Sequence, residues 1–312
     1  MTSFSAFAAI DWSGAKGVRH KGIAVALCRA GDAAPELVFP GEAVDKSATS
    51  RIWSRTGVAR WLLDQAAREP TLFGFDFSFA PPLVERGAYL PGEASVPDDG
   101  PAFWAYVDRL CAAEPDLCAA GFLETHHRRH FYFGAADGVK ATYMHLRRCE
   151  ALYNAGGGGK PSTVYDAIGA SQVAKASFAG MRMLHGLHGQ VPIWPFDGRE
   201  GAGGGSFWAG PPSAPRSSAG SCIVEIYTSL AARAAGRPKG RSKMRDGAVL
   251  DDALGQVGSR PHAPLPRYED HATDAILTAA WLRARAADPV LWSPPALTHA
   301  IARSEGWTFG VV

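Results

Sequence analysis

Residues 71–76 read TLFGFD, an apolar run of strand length that ends at an aspartate. The run has no polar alternation, which is typical of a strand that is buried on both faces. Residues 6–10 read AFAAI and end in the same way, at Asp11. In an open α/β sheet, a carboxylate at the end of a strand lies where ligands bind. Asp11 and Asp76 are therefore the first candidate site residues.

The segments around these two runs predict a mixed α/β fold. Apolar runs at 22–28 and 35–39 are expected to form a meander of short strands with residues 6–10. A helix capped by Ser50 is expected to continue to about Arg68, and SCIVEIY at 221–227 is a further strand. Helices are also predicted at 101–113, 141–153, 171–187, after the last strand to Ala235, at 246–257 and at 268–287.

The middle of the chain, approximately residues 80–220, is predicted to be a long insertion of loops and helices. Stretches rich in glycine and proline at 155–161 and 198–220 are typical of surface connections. Residues 191–196 contain two prolines, which allow an edge strand and exclude a central one. Nothing in the sequence marks a linker between independent domains, so we predict one domain over residues 1–312.

The composition excludes several classes of protein. Of the 312 residues, 46% are hydrophobic and 20% are charged, which excludes a disordered chain. The net charge of +2 is too balanced for a protein that holds a duplex by charge over its whole surface. Five scattered cysteines without a C-x-x-C pair favour a reducing compartment. With no signal peptide and no apolar run near ~18 residues, we expect a cytoplasmic protein without a membrane partner.

Five acidic residues are candidate ligands of a metal ion: Asp11, Asp76, Glu225, Asp270 and Asp274. Glu225 lies inside an apolar strand, whereas Asp270 and Asp274 lie one turn apart on a predicted helix. Converging carboxylates repel one another, and a divalent cation with oxygen ligands, Mg²⁺ or Mn²⁺, would remove that repulsion. Such ions activate water for phosphodiester cleavage. Each acid also has an ordinary alternative, as a turn residue, a helix cap or the partner of an arginine.

Several motifs together resemble one protein family. In chain order they are IDWSGAK (10–16), FGFDFSFAPP (73–82), QVAKASFAGM (172–181), IVEIY (223–227), DHATDAILTAAWL (270–282) and EGWTFGV (305–311). They resemble the domain of unknown function 429 family, whose members are predicted nucleases of the ribonuclease H-like fold. The resemblance covers the whole chain. It implies a mixed five-stranded sheet flanked by helices, in which the first three strands are antiparallel.

The resemblance also implies roles for particular residues. The positions that match the family's catalytic and metal-binding acids are Asp11, Asp76, Glu225 and Asp274. A second acid or histidine one turn earlier on the last of these helices, as in RuvC-like resolvases, would be Asp270 or His271.

The sequence departs from the family pattern at two places. After Glu225, the chain reads Tyr227-Thr228 rather than Tyr-Pro. After Asp76, it reads Phe77-Ser78 rather than Ile-Pro. Both departures keep the carboxylate and could reshape the site around it.

Two basic features could contact the phosphates of a substrate. Ser13 and Lys16 lie in the loop after Asp11, where a similar loop holds nucleotide phosphates in actin-like ATPases, although the pattern favours a plain hairpin turn over a nucleotide loop. No second glycine-rich loop follows Asp76, which weakens the ATPase alternative. The other feature is the basic stretch at 233–245, which is a groove wall for phosphates or a solvated face. Its candidate substrate-binding residues are Lys239, Arg241 and Lys243.

Residues 124–133 read ETHHRRHFYF and combine basic and aromatic side chains. Such a segment can clamp single-stranded nucleic acid by phosphate contacts and base stacking. It can equally be a surface loop whose aromatic residues anchor it to the core. We expect no zinc site from these histidines, because the sequence places no cysteine or acid beside them at ligand spacing.

The leading hypothesis is a metal-dependent nuclease, a hydrolase that cleaves phosphodiesters of single-stranded or structured nucleic acid with Mg²⁺ or Mn²⁺. The alternatives are an actin-like ATPase or phosphotransferase and a non-catalytic member that binds nucleic acid or protein. The nuclease requires that the acids meet in one pocket. The non-catalytic alternative predicts acids that are spread apart or paired with arginine or lysine. Substrate, cleavage polarity, oligomeric state and pathway are not determined by the sequence.

Overall fold

A computed structural model of the chain describes residues 4–40, 51–159, 161–169, 173–198, 220–238 and 243–312. Its strands form one five-stranded mixed sheet in the order β3-β2-β1-β4-β5. Strand β1 pairs antiparallel with β2 and parallel with β4, while β2–β3 is antiparallel and β4–β5 is parallel. The strands are β1 (Ala6–Asp11), β2 (Ala24–Arg29), β3 (Glu36–Val38), β4 (Thr71–Asp76) and β5 (Cys222–Glu225). The prediction of a mixed five-stranded sheet flanked by helices is confirmed.

Helices cover both faces of this sheet. The described helices are α1 (Arg55–Arg68), α2 (Gly100–Leu110), α3 (Arg148–Ala155), α4 (Ala174–Leu187), α5 (Thr228–Ala234), α6 (Gly247–Gln256), α7 (Asp270–Arg285), α8 (Pro289–Trp292) and α9 (His299–Ser304). Short 3-10 turns lie at Pro115–Leu117, Arg128–His130, Ala135–Asp137 and Lys140–Tyr143, and a π turn lies at Phe122–His126. None of these helices has the length and apolarity needed to cross a bilayer.

The alternation of side chains along the strands divides the interior into two cores. Ile10 and Phe75 point to the face that α1, α2 and α4 cover, within one buried cluster. Phe7 and Leu72 point to the opposite face, which α5, α6 and α7 cover within a second cluster. The central strands are buried on both faces, as their continuous apolar runs predict.

Gly74 explains how closely α7 packs on the sheet. A Cβ at this position would lie 2.7 Å from a methyl of Ile226 and 2.8 Å from one of Leu282. A larger side chain would therefore push α7 away from β4. The glycine in TLFGFD thus helps to set the distance between the strand ends and the acidic first turns of α7.

Two local predictions are wrong in detail. Helix α1 is capped by Ser54, whose side chain accepts a hydrogen bond from the Gly57 amide, and not by Ser50. Ser50 itself lies outside the described residues. Residues 191–196 do not form a strand, although Ile193 makes a single parallel bridge with Ile223 beside β5. All five cysteines are buried and free, as the absence of a disulfide pattern predicts.

Candidate functional site

Asp11 and Asp76 lie side by side at one edge of the sheet. The parallel register of β1 and β4 pairs these two residues directly, because both strands end at their aspartates. They line a pocket of about 330 Å³, whose wall also includes Trp12, Ser78, Tyr227 and three further charged residues, Arg147, Glu150 and Glu225. The structure therefore brings together the two acids that the sequence first singled out.

The negative charge of Asp76 is poorly compensated. Its carboxylate accepts a hydrogen bond of 3.2 Å from the Thr228 hydroxyl, and no ion pair to Asp76 occurs among the described residues. Burial raises its pKa well above the ordinary value, and the charges of Asp11 and Asp274 raise it further. Thr228 stands where the family pattern has proline. It thus donates a hydrogen bond to Asp76.

Helix α7 brings Asp274 and Asp270 toward the same edge, where a lysine lies against both. The ammonium of Lys243 is 3.4 Å from a carboxylate oxygen of Asp274 and 3.3 Å from one of Asp270. Burial raises the pKa of Asp274 to about 6, although Lys243 opposes the shift. Asp270 is more exposed and also lies 3.8 Å from Arg245.

His271 contacts Asp11 from the first turn of α7. Its Nδ1 lies 3.1 Å from an Asp11 carboxylate oxygen, and about half of the imidazole is exposed. The hydrogen bond to Asp11 raises the pKa of His271, so the protonated imidazole persists to higher pH than usual. The sequence named His271 only as an alternative to Asp270 for this position on the helix.

Glu225 has a different environment from Asp11 and Asp76. Arg147 donates to both of its carboxylate oxygens, one of these hydrogen bonds measuring 2.7 Å. The Phe79 amide and the Thr308 hydroxyl donate to it at 2.8 and 2.6 Å. Glu225 and Arg147 are 2% and 1% exposed. The expectation that Glu225 ligates a metal finds no support in this geometry, because donors already occupy both oxygens and an arginine balances the charge.

The same arginine joins other buried groups around Glu225. Arg147 also pairs with Glu150 at 2.9 Å and donates to the Glu305 carbonyl oxygen at 3.1 Å. Nothing in the sequence linked Arg147 with Glu225, since 78 positions separate them. The available signal was the glutamate inside the apolar run of β5, because a buried carboxylate requires a cation nearby.

The loop after Asp11 is held in place by buried groups. Arg55 donates to the carbonyl oxygens of Ser13, at 2.8 Å, and of Ala15. Lys16 points away to Glu124, 2.7 Å from its carboxylate. Ser13 and Lys16 are therefore engaged in contacts within the chain, and Lys16 must leave Glu124 before it can contact a phosphate. This geometry does not favour a nucleotide loop.

The basic stretch is described only in part. Lys239 and Arg241, both expected to bind substrate, lie outside the described residues. Lys243 lies against Asp270 and Asp274, and the Arg245 side chain is 76% exposed. Arg233 packs over the ring of Tyr153. Two described residues of the basic stretch, Lys243 and Arg245, thus lie near the acidic first turns of α7.

The aromatic residues after the histidines anchor this segment to the core. Phe131 is fully buried and packs against Phe122, Tyr165 and Phe178. A buried ring offers no face for stacking on a base. The anchoring alternative therefore explains Phe131 better than a clamp for single strands.

Comparisons of the chain with models of protein families, with curated proteins and with solved structures found no match.

Proposed function

We propose that this protein is a divalent-cation-dependent nuclease with a ribonuclease H-like fold, in which Asp11 and Asp76 hold Mg²⁺ or Mn²⁺. The observation that carries the proposal is the pairing of these two carboxylates at adjacent strand ends, in a pocket, without an arginine or lysine on Asp76. Asp274 is the third acid whose charge acts on the same position.

The topology supports the fold assignment and the resemblance to the domain of unknown function 429 family. The strand order β3-β2-β1-β4-β5, with β1–β3 antiparallel and β4 and β5 parallel to β1, has the antiparallel first three strands that the resemblance implies. The acids stand at the ends of the first and fourth strands, as in the family pattern. Family membership remains part of the proposal.

The donor set fits a hard cation better than a soft one. Mg²⁺ prefers oxygen ligands, keeps several waters and needs only one or two carboxylates from the protein. Asp11, Asp76 and Asp274 do not all place a donor atom within 4.8 Å of one another, so a cation here would be held by one or two of them and by water. Bound there, the cation would activate water and stabilise the leaving oxygen.

The side chains around the two aspartates have roles that follow from their contacts. The Thr228 hydroxyl orients the Asp76 carboxylate. His271 is exposed and hydrogen-bonded to Asp11, so its imidazolium is placed to donate a proton or to balance a phosphate charge at the pocket. Lys243 and Arg245 can turn from Asp270 toward a phosphate, because both side chains are largely exposed. Glu225 and Arg147 line the same pocket as a buried ion pair, which holds the end of β5 in place.

A second candidate function has one observation in its favour. Three of the predicted acids are paired with arginine or lysine: Glu225 with Arg147, and both Asp274 and Asp270 with Lys243. Such pairing is what a non-catalytic binding protein of this fold predicts. The two candidates differ at Asp76, which only a metal-dependent enzyme requires to stay charged.

Cleavage by the purified chain tests the proposal. We expect Mg²⁺- or Mn²⁺-dependent cleavage of at least one substrate among single-stranded, duplex and branched nucleic acids. Asp11→Asn and Asp76→Asn should each abolish it, because both remove a negative ligand without changing side-chain volume. Asp64→Asn is the matched control, since Asp64 is exposed on α1 and should leave cleavage unchanged.

Two results would reject the nuclease. One is the absence of cleavage with every substrate and either cation. The other is cleavage that survives in both Asp11→Asn and Asp76→Asn, which would trace the activity to another site or a contaminant. Binding of nucleic acid without cleavage, unaffected by these variants, would establish the non-catalytic candidate.

A further inference from the structure

Two histidines and a glutamate meet far from the acidic edge of the sheet. One nitrogen each of His127 and His130 and one oxygen of Glu93 all lie within 4.8 Å of one another. Among the described residues, this is the one group of three histidine, cysteine or acidic side chains that is so close. His127 is the N-cap of the 3-10 turn Arg128–His130 and His130 is its last residue, and residues three apart in such a turn project to the same side.

The second observation is a buried nitrogen without a partner. His127 is 5% exposed, and its Nδ1 makes no hydrogen bond. The nearest acceptor, an oxygen of Glu93, is 3.7 Å away, beyond hydrogen-bond distance. The other ring nitrogen, Nε2, lies 2.9 Å from the Tyr106 hydroxyl. A proton on Nε2 would leave the Nδ1 lone pair directed toward Glu93.

We propose that Glu93, His127 and His130 bind a Zn²⁺ ion, through the Glu93 carboxylate, His127 Nδ1 and His130 Nε2. Imidazole nitrogens with a carboxylate are a donor set that suits zinc, and three protein ligands leave a fourth position for water. Tyr106 orients His127 in the way that outer partners orient metal-bound histidines.

The distances between the donor atoms suit a tetrahedral ion. Zinc lies about 2.0–2.1 Å from such ligands, which places two tetrahedral ligand atoms about 3.3 Å apart. The Glu93 oxygen is 3.1 Å from His130 Nε2 and 3.7 Å from His127 Nδ1. These two separations therefore need shifts of only a few tenths of an ångström, and the two histidine nitrogens lie within 4.8 Å of each other.

Arg129 is the group that competes with the ion. Its guanidinium lies 2.8 Å from Glu93 and its Nε donates to His130 Nε2 at 3.2 Å, so it contacts two of the proposed ligands; its side chain is 64% exposed and can leave for solvent. Zinc at this site would join the turn that carries Glu93 to the 3-10 turn at 128–130 and to α2 through Tyr106. The sequence did not predict it, because Glu93 lies 37 positions from His130.

Zinc titration of the full-length chain, after removal of metal with a chelator, tests this site. We expect saturable binding of one Zn²⁺ that Glu93→Gln and His130→Ala each weaken by more than about 100-fold, because even outer-shell partners cost 10–100-fold when removed. Tyr106→Phe should weaken it about 10-fold. Arg129→Ala should tighten binding, an effect that a purely structural ion-pair cluster does not produce.

His126→Ala is the matched control, because His126 is the exposed neighbour of His127 and should not alter zinc affinity. Co²⁺ in place of Zn²⁺ provides a second readout. We expect the visible absorption spectrum of four-coordinate Co²⁺ with the wild type, and its loss in Glu93→Gln. Zinc binding that is absent, or that is equal in wild type, Glu93→Gln and His130→Ala, would overturn the proposal. Asp76→Asn should leave this zinc binding intact, which separates it from the nuclease site.

Discussion

Neighbouring strands of one sheet end in acids with opposite environments. Asp11 and Asp76, on β1 and β4, line a pocket; His271 contacts Asp11, whereas no ion pair to Asp76 occurs among the described residues. Glu225, at the end of β5, is buried against Arg147 and accepts four hydrogen bonds. From the sequence alone these three acids cannot be told apart, because each is a carboxylate in an apolar strand or at its end.

The difference shows that position in a sheet is not enough to assign an acid to a site. A buried carboxylate that is paired with a cation and accepts hydrogen bonds stabilises the fold only while those partners are present. A carboxylate left with repulsive neighbours costs stability until a cation arrives. A functional site is therefore better sought at acids whose negative charge has no cationic partner than at places where acids are merely numerous.

The largest expected effect concerns Glu225, the acid whose charge and hydrogen bonds are satisfied. Arg147→Met would leave Glu225 and Glu150 buried without their cation, and breaking such a pair costs roughly 3–5 kcal/mol. We expect a loss of this size in the free energy of unfolding, measured with denaturant. Arg148→Met is the control, because Arg148 is exposed and its substitution should cost less than about 0.5 kcal/mol.

Equal stability of the Arg147→Met and Arg148→Met variants would show that the buried ion pair has no structural role. The double variant Arg147→Met/Glu225→Gln sharpens the test. It removes both charges, so it should be more stable than Arg147→Met alone.

On the uncompensated side, Asp76→Asn should stabilise the protein in the absence of divalent cations. The substitution removes a poorly paired charge, a gain of about 1–3 kcal/mol in the free energy of unfolding at mildly alkaline pH. Added Mg²⁺ should then stabilise the wild type and not the variant. Asp64→Asn should show neither change. A destabilised Asp76→Asn protein in the presence of a chelator would mean that Asp76 is compensated after all.

A third prediction concerns pH and Asp274. Its pKa is about 6 in the folded protein and about 3.9 in an unfolded chain, so the folded state binds the proton more tightly. Stability should therefore fall as pH rises from about 4 to about 6, by roughly 1–3 kcal/mol at most for this group. The measurement is the free energy of unfolding of wild type minus that of Asp274→Asn across this range. A difference that is constant with pH would contradict the raised pKa.

Much of the fold could be predicted from local sequence. The runs that became β1, β4 and β5 are apolar enough to require burial on both faces, and each of the three strands ends at an acid. The cap of α1 was misplaced because several serines near its start are equivalent in sequence, and only the structure shows that Ser54, with an extended backbone, caps the helix.

The candidate site could be predicted only in part. The sequence supplied its acids, since strand ends and helical spacing are local properties of the chain. The tertiary structure alone decided which charges meet: Arg147 with Glu225, Lys243 with Asp274, His271 with Asp11 and Glu93 with the two histidines. Such pairs join positions that packing, not chain connectivity, brings within a few ångströms. The electrostatic energy of each acid depends on those distances, so its role was beyond the reach of the sequence.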